Sequence, residues 1–411
     1  MGPTSALVLV GLAIAAIGGL VAVAIARHWV LQLTAGLLTL GVTLFTGAVL
    51  VNDYYGYYHS WGSALADLTG QGNSYAVHLA ANDARASHGQ HGRIMRIQLA
   101  GSRSGISREG LIYLPPQYDD PHYRQVRFPV IELLHGSPGG PASWAIGLSV
   151  NRYVDTLIAT RGMGPVVLVM PASNRKHSFD ECLDTGAVKT DTYLTQDVPT
   201  LVRTHFRVST SPAQWGLMGY SSGGYCAANL MMRHRSNFGS SAIIDGYFHP
   251  GDGPAAADLN FDPTAIRAND PLLSALATEP GASPMPACWI AAGTGVAQDY
   301  AGAKAFAAAT RRLTQTTLFT EPGAHHTVAA VRAAVPSALV WSWRMLASPD
   351  QRVLFPTPGS VTGSAPAITP TKPHQRRHHT SPPTPGQQHP PASLQAQKGA
   401  NANGTPTRHP S

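Results

Sequence analysis

Residues 214–234 read QWGLMGYSSGGYCAANLMMRH. An apolar run enters GYSSGG and a helix-forming run leaves it, the strand, turn and helix order that a nucleophile elbow requires. The Gly-x-Ser-x-Gly pentad centred on Ser221 decides little by itself in a chain with 41 glycines. Its setting decides more, because Gly219, Gly223 and Gly224 stand where a side chain would block a sharp turn or hold helix away from strand. Ser222 fits less well, since the residue two before it is Tyr220. Ser221 is the candidate nucleophile, weighed against an ordinary loop serine.

The segments around it alternate in the same way from Gly92 onward. Beta-type runs occur at RIMRIQLAG, GLIYLPP, PVIELLHG, GPVVLVMPAS, QWGLMGYS, SSAIIDGYF, ACWIAAGT and TTLFTEPGA. Helix-compatible stretches lie near 141–161, 192–206, 223–236, 298–313 and 327–347. Val-, Ile- and Leu-rich strands with helical crossovers predict an α/β fold with a mostly parallel central sheet and helices on both faces. The first two runs suit an antiparallel meander. Residues 247–285 interrupt the alternation with Pro, Ala and Asp. As an insertion over the carboxyl edge of the sheet, they would help to shape a pocket.

Ahead of this region, residues 5–26 and 29–51 are two uncharged runs separated by Arg27 and His28. Each is long enough to cross a hydrocarbon core, so they predict a transmembrane helical hairpin. A cleaved signal peptide is the competing reading, but the start lacks Lys and Arg, and a second apolar run follows at once. Arg27, the one basic residue near either span, places the turn in the cytoplasm and both termini outside. NDYYGYYHSW (52–61) has the Tyr and Trp content of a headgroup-level exit, and 62–91 reads as a small, polar tether with at most one short helix.

At the other end, residues 349–411 are rich in Pro, Ser, Thr, Gln and His and read as a disordered basic tail. Five basic and no acidic side chains fall within 353–411, out of a net charge of +7 for the whole chain. The body is close to neutral, which argues against a nucleic-acid groove. The three cysteines, Cys182, Cys226 and Cys288, have no metal-ligand spacing.

A serine hydroxyl needs a base, and the base needs an orienting carboxylate. TTLFT is followed by EPGAHHTVAAV, so His325 and His326 both lie in the loop before the last helix, and either suits the base. For the acid, Asp299 follows the strand ACWIAAG, and Asp245 ends the strand SSAII. Asp299 is favoured and Asp245 competes. The oxyanion donors would be the Ser222 N–H, next to the nucleophile, and the Ser137 N–H of the glycine-rich loop LLHGSPGG (133–140).

Together, LLHGSPGG, DTYLTQDVP (191–199), MGYSSGGYCAANL and PGAHHTVAAVRAAVP resemble the esterase family of α/β-hydrolases that includes esterase D and the mycolyltransferases. The resemblance covers about residues 92–348 and implies an α/β-hydrolase catalytic domain. It also implies a Ser, Asp/Glu, His triad with no metal and no cofactor. In that family a small-residue run and a Pro or Asn follow the catalytic histidine at a fixed interval, and counting back from Pro336 selects His326 over His325. The chain departs from the family in having Val328 where an aromatic is usual. The FDECLD (179–184) and GYC pieces look like those of membrane-anchored, extracytoplasmic members. That likeness suggests a Cys182–Cys226 disulfide bracing the site, with two separate thiols as the alternative and Cys288 as a core residue.

The expectation is a membrane-anchored serine esterase acting on an ester substrate of a lipid or envelope component, with its catalytic domain outside the cytoplasm. An acyltransferase of the mycolyltransferase type would use the same residues. A binding protein on a hydrolase scaffold is the reading without catalysis.

Overall fold

The computed structural model describes residues 3, 5–58, 60–86, 91–174, 182–186, 188–252, 259–281 and 284–357. Its centre is one sheet of eight strands, β1 (Arg93–Ala100), β2 (Ser107–Leu114), β3 (Val130–Leu134), β4 (Val167–Met170), β5 (Trp215–Tyr220), β6 (Ser240–Ile244), β7 (Ala287–Gly293) and β8 (Thr316–Glu321). The order across the sheet is β1-β2-β4-β3-β5-β6-β7-β8. β1 and β2 pair antiparallel, β2 joins β4 antiparallel, and every later pairing is parallel. All eight beta-type runs of the sequence are thus strands, and the α/β-hydrolase architecture is present.

Alternate residues of the central strands enter two cores. Leu217 and Ile243 pack on one face with Ala227, Leu230 and Met231 of the helix Ser222–Arg233 and with Phe306 of the helix Ala297–Arg311. Met218 and Ile244 pack on the other with Val154 of the helix Val150–Ala159 and with Val335 and Leu339 of the helix Val328–Leu346. Because both faces are covered, β3, β5 and β6 are buried at every position, which is why they read as mostly apolar runs, broken by Glu132 and by Ser240 and Ser241.

Two helices, Ala6–Ile25 and Trp29–Tyr55, precede the sheet and are long and apolar enough to cross a membrane. They pack against each other, and a Cβ on Gly19 would collide with the Thr39 hydroxyl. Most of their apolar side chains are outward, with Leu7 69% and Leu38 72% exposed, although Val49 is buried. The second helix runs four residues past its expected end. Gly56 caps it in the left-handed conformation. Asn52 holds the chain beyond, donating to the Tyr58 carbonyl and accepting from its N–H.

Two boundaries differ from expectation. The stretch assigned to a tether folds into the helices Trp61–Leu68 and Gly72–Ala86. Ala76 and Ala80 of the second are buried in the core beside Ile94 and Tyr113. Small residues one turn apart suffice for that docking and leave almost no amphipathic signal. The tail begins later than residue 349, because Pro349–Leu354 is a helix. Gln351 anchors it, donating to the Arg127 carbonyl and accepting from Gln214. The remainder of the expected tail, 358–411, lies outside the described residues.

The insertion contributes two short helices, Pro263–Ala268 and Pro271–Ala277, with Asp270 capping the latter and meeting His249 at 2.6 Å. Its residues 253–258 and 282–283 lie outside the described residues.

Candidate active site

Ser221 sits between β5 and the helix Ser222–Arg233 with φ 56° and ψ −123°. A residue other than glycine reaches this region at a cost of order 1–3 kcal/mol, and such strain presents the side chain at the tip of a turn. The turn closes only because Gly219 lacks a side chain, since a Cβ there would run into the Gly223 carbonyl.

His326 Nε2 lies 2.9 Å from Ser221 Oγ. Its Nδ1 lies 3.5 Å from Asp299 Oδ2, an ion-pair distance longer than a good hydrogen bond. The Asp299 carboxylate holds the imidazole above its ordinary range, with Asp245 adding to the effect and burial opposing it. The structure therefore brings His326 to Ser221, whereas His325 is exposed. Asp245, at the end of β6 with φ 45°, accepts the Gly293 N–H at 3.3 Å through Oδ1. Its Oδ2 is buried with no hydrogen-bond partner among the described residues, and burial pushes its carboxyl up. Glu321, ending β8, is pushed up to about 7 by burial and then by the Asp245 charge. Asp245 thus acts electrostatically on both His326 and Glu321, and Glu321 gave no sign of this in the sequence.

Ser222 is the first residue of its helix, so its N–H is among those without an acceptor inside the helix. The loop after β3 comes down beside the nucleophile. At Gly136 a Cβ would stand 2.6 Å from the Tyr220 ring and 3.2 Å from Ser221 Cβ, so only glycine lets it approach. His135 braces this loop, with Nδ1 3.0 Å from the Gly136 carbonyl and Nε2 3.2 Å from the Ser173 N–H. Burial lowers its pKa to about 4, which keeps it neutral near pH 7. Ser137, next in the loop, lines one small cavity with Ser221 and His326.

Cys182 and Cys226 are joined by a disulfide with Cα atoms 5.5 Å apart, and Cys226 lies in the first turns of the elbow helix. Cys288 is free and buried. Residues 175–181, including Phe179, Asp180 and Glu181 of the FDECLD piece, lie outside the described residues. The far end of the elbow helix is held by Asp191 of DTYLTQDVP, 3.0 Å from Arg233 and 2.6 Å from His234. Asp197 of the same motif accepts the N–H groups of Arg103 and Ser104.

Tyr55 and Tyr57 line the same cavity as Ser221, together with Val328 and Val331. The sequence marks these tyrosines only as aromatics leaving an apolar helix. That they fold back onto the nucleophile depends on tertiary structure.

The family model described as "Putative esterase" matches residues 102–341, more than half of the chain. An uncharacterised protein of Corynebacterium glutamicum is 30% identical over 217 residues, 51% of this chain and 50% of that protein. The chain thus spans about half the length of the curated relative it matches. Among solved structures, a ferulic acid esterase superposes with a TM-score of 0.52 at 18% identity, covering 62% of this chain and 99% of that one. An S-formylglutathione hydrolase from Agrobacterium tumefaciens superposes with a TM-score of 0.51 at 17% identity, covering 62% and 96%. At such identities the two structures speak to the fold.

Proposed function

The chain belongs to the esterase family of α/β-hydrolases, and from that premise we propose a membrane-anchored serine carboxylic-ester hydrolase working outside the cytoplasm. The observation that carries the reading is the 2.9 Å approach of His326 Nε2 to Ser221 Oγ on a strained elbow. Ser221 Oγ attacks the ester carbonyl while His326 Nε2 takes its proton. The charged imidazolium is stabilised by Asp299 from the Nδ1 side. The Ser222 and Ser137 N–H groups hold the oxyanion. The C–O bond to the alcohol then breaks and His326 returns the proton to the leaving oxygen. Water, deprotonated by His326, attacks the acyl-enzyme and releases the acid and Ser221.

The two apolar helices act as an anchor, with the Arg27 turn on the cytoplasmic side, followed by an interfacial segment and a catalytic domain from about residue 92. The Cys182–Cys226 disulfide supports an oxidising compartment. An ester of a lipid or envelope component, acyl or aminoacyl, suits an enzyme held at a membrane. Fluorophosphonate labelling of the detergent-solubilised chain tests the assignment. Labelling should be present in the unmodified chain, lost in Ser221→Ala and strongly slowed in His326→Ala. Equal labelling of Ser221→Ala would refute it.

A further inference from the structure

The cavity at Ser221 is not the only space beside the nucleophile. A larger chamber of about 150 Å³ adjoins it, and Tyr57, Pro138, Tyr220 and Val328 line both. Its catalytic-domain wall is mostly apolar, with Ala142, Ile146 and Leu148 beside Ser143. Its other wall is not part of the hydrolase domain at all. Tyr57, Tyr58, Ser63 and Asp67 come from the chain that has just left the second apolar helix.

The helix Trp61–Leu68 that supplies this wall has two unlike faces. Ser63 and Asp67, one turn apart, look into the chamber, where Asp67 takes the Tyr58 hydroxyl at 2.5 Å. Trp61, Leu65 and Leu68, spaced four and three apart, lie on the opposite face, with Leu65 62% and Leu68 81% exposed. Trp61 stacks on Phe45 of the preceding helix with ring centroids 6.0 Å apart.

That contact sets the depth of the wall. The first apolar helix has 20 residues, about 30 Å at 1.5 Å per residue, which matches a hydrocarbon core. An equal length of the second helix runs from Trp29 to Ala48, leaving the remainder, Val49 to Tyr55, to project about 10 Å into the headgroup layer. Phe45 lies inside the boundary, so Trp61 is carried several Å below it, the depth at which interfacial helices bury an apolar face.

We infer that the membrane-exit segment is a structural part of the substrate site. The helix Trp61–Leu68 lies in the bilayer surface with Trp61, Leu65 and Leu68 in lipid, and its inner face with Tyr57 closes a chamber for the apolar chain of a lipid ester presented from the bilayer. This deepens the esterase reading and rests on it. A chamber of this size holds a group of about six carbons, by analogy with engineered apolar cavities of about 150 Å³ that bind benzene. The carbons next to the ester carbonyl would fill it.

The test uses the full chain in phosphatidylcholine vesicles and a series of p-nitrophenyl esters. Each methylene accommodated should raise kcat/KM by up to about fourfold, so hexanoate should exceed acetate by on the order of 10²-fold. Ala142→Leu fills the chamber from the catalytic-domain side and should cut the hexanoate-to-acetate ratio about tenfold. Tyr57→Ala opens it and should move the optimum to longer chains. Leu65→Lys with Leu68→Lys should lower the ratio of vesicle-embedded decanoate to acetate turnover about tenfold. Chain-length ratios unmoved by Ala142→Leu and Tyr57→Ala, in enzyme whose Ser221 still takes a fluorophosphonate, would overturn the chamber. An unmoved decanoate ratio in the lysine variant would overturn entry from lipid. Absence of both labelling and turnover in the unmodified chain would instead overturn the esterase reading underneath.

Discussion

Two carboxylates bear on His326, and the structure distinguishes what each should do. Asp299 stands 3.5 Å from Nδ1, with side-chain exposures of 38% for the histidine and 33% for the aspartate. In the transition state the imidazole gains a full charge. A unit pair at that separation is worth about 5 kcal/mol at an effective dielectric of 20, and about half that after allowance for exposure to water. Asp299→Asn should therefore lower kcat/KM by a little under 10²-fold, at about 1.4 kcal/mol per decade. Asp245 acts on the same ring without a hydrogen bond to it, and burial holds its own carboxyl up. Asp245→Asn should cost less than about tenfold.

The pH profile supplies a second readout. His326 must be neutral to accept the serine proton, so the acidic limb of kcat/KM reports its pKa in the free enzyme. Asp299 is the leading cause of its elevation, so Asp299→Asn should move that limb to lower pH. A kinetic series of the unmodified chain, Asp299→Asn and Asp245→Asn on one soluble p-nitrophenyl ester decides the matter. A larger loss in Asp245→Asn, or an acidic limb that stays in place in Asp299→Asn, would refute the assignment.

Two further perturbations probe the scaffold. The Cys182–Cys226 bridge closes a loop with a sequence separation of 44, worth about 4 kcal/mol in the chain-entropy treatment. The Cys182→Ala/Cys226→Ala double variant should melt on the order of 10 °C lower in non-reducing buffer, and an unchanged melt would remove the brace from the account. Glu132 on β3 is fully buried, accepts the Trp215 indole N–H at 3.0 Å, and is raised by burial from 4.5 to about 8. It binds its proton more tightly folded than unfolded, so its contribution to stability falls as pH climbs through that window. Glu132→Gln keeps an acceptor for the indole and should gain in melting temperature relative to the unmodified chain between about pH 5 and pH 9. A difference independent of pH would contradict the elevation.

All eight strands could be read from the sequence, most plainly where burial is total. β3, β5 and β6 are mostly apolar because helices cover both faces, and Gly219 of the elbow is required by the Gly223 carbonyl in the same turn, whereas Gly223 and Gly224 are required by the distant backbones of Leu134 and Gly246. His325 and His326 are adjacent and alike in composition. Only the loop leading to Thr327, whose hydroxyl accepts the Ala330 N–H at 3.3 Å, turns the second toward Ser221. Glu321 and Asp245 end different strands, so the electrostatic effect of one on the other arises from the β6-β7-β8 order. The helix Gly72–Ala86 docks mainly through Ala76 and Ala80, with Val77 beside them, and Pro349–Leu354 is held through one glutamine. Neither leaves a periodic apolar pattern, so a tether and a tail were expected in their place. Tyr55 and Tyr57 belong to the site through a reversal of the chain at Gly56 and the long-range approach of the loop after β3.

The most direct test of the account is labelling of intact cells with a membrane-impermeant fluorophosphonate, comparing the unmodified chain with Ser221→Ala. An activated Ser221 on an outward-facing domain predicts labelling of intact cells by the unmodified chain and none by the variant. Labelling that appears only after lysis would contradict the outward placement, and no labelling in either state would contradict the serine esterase itself.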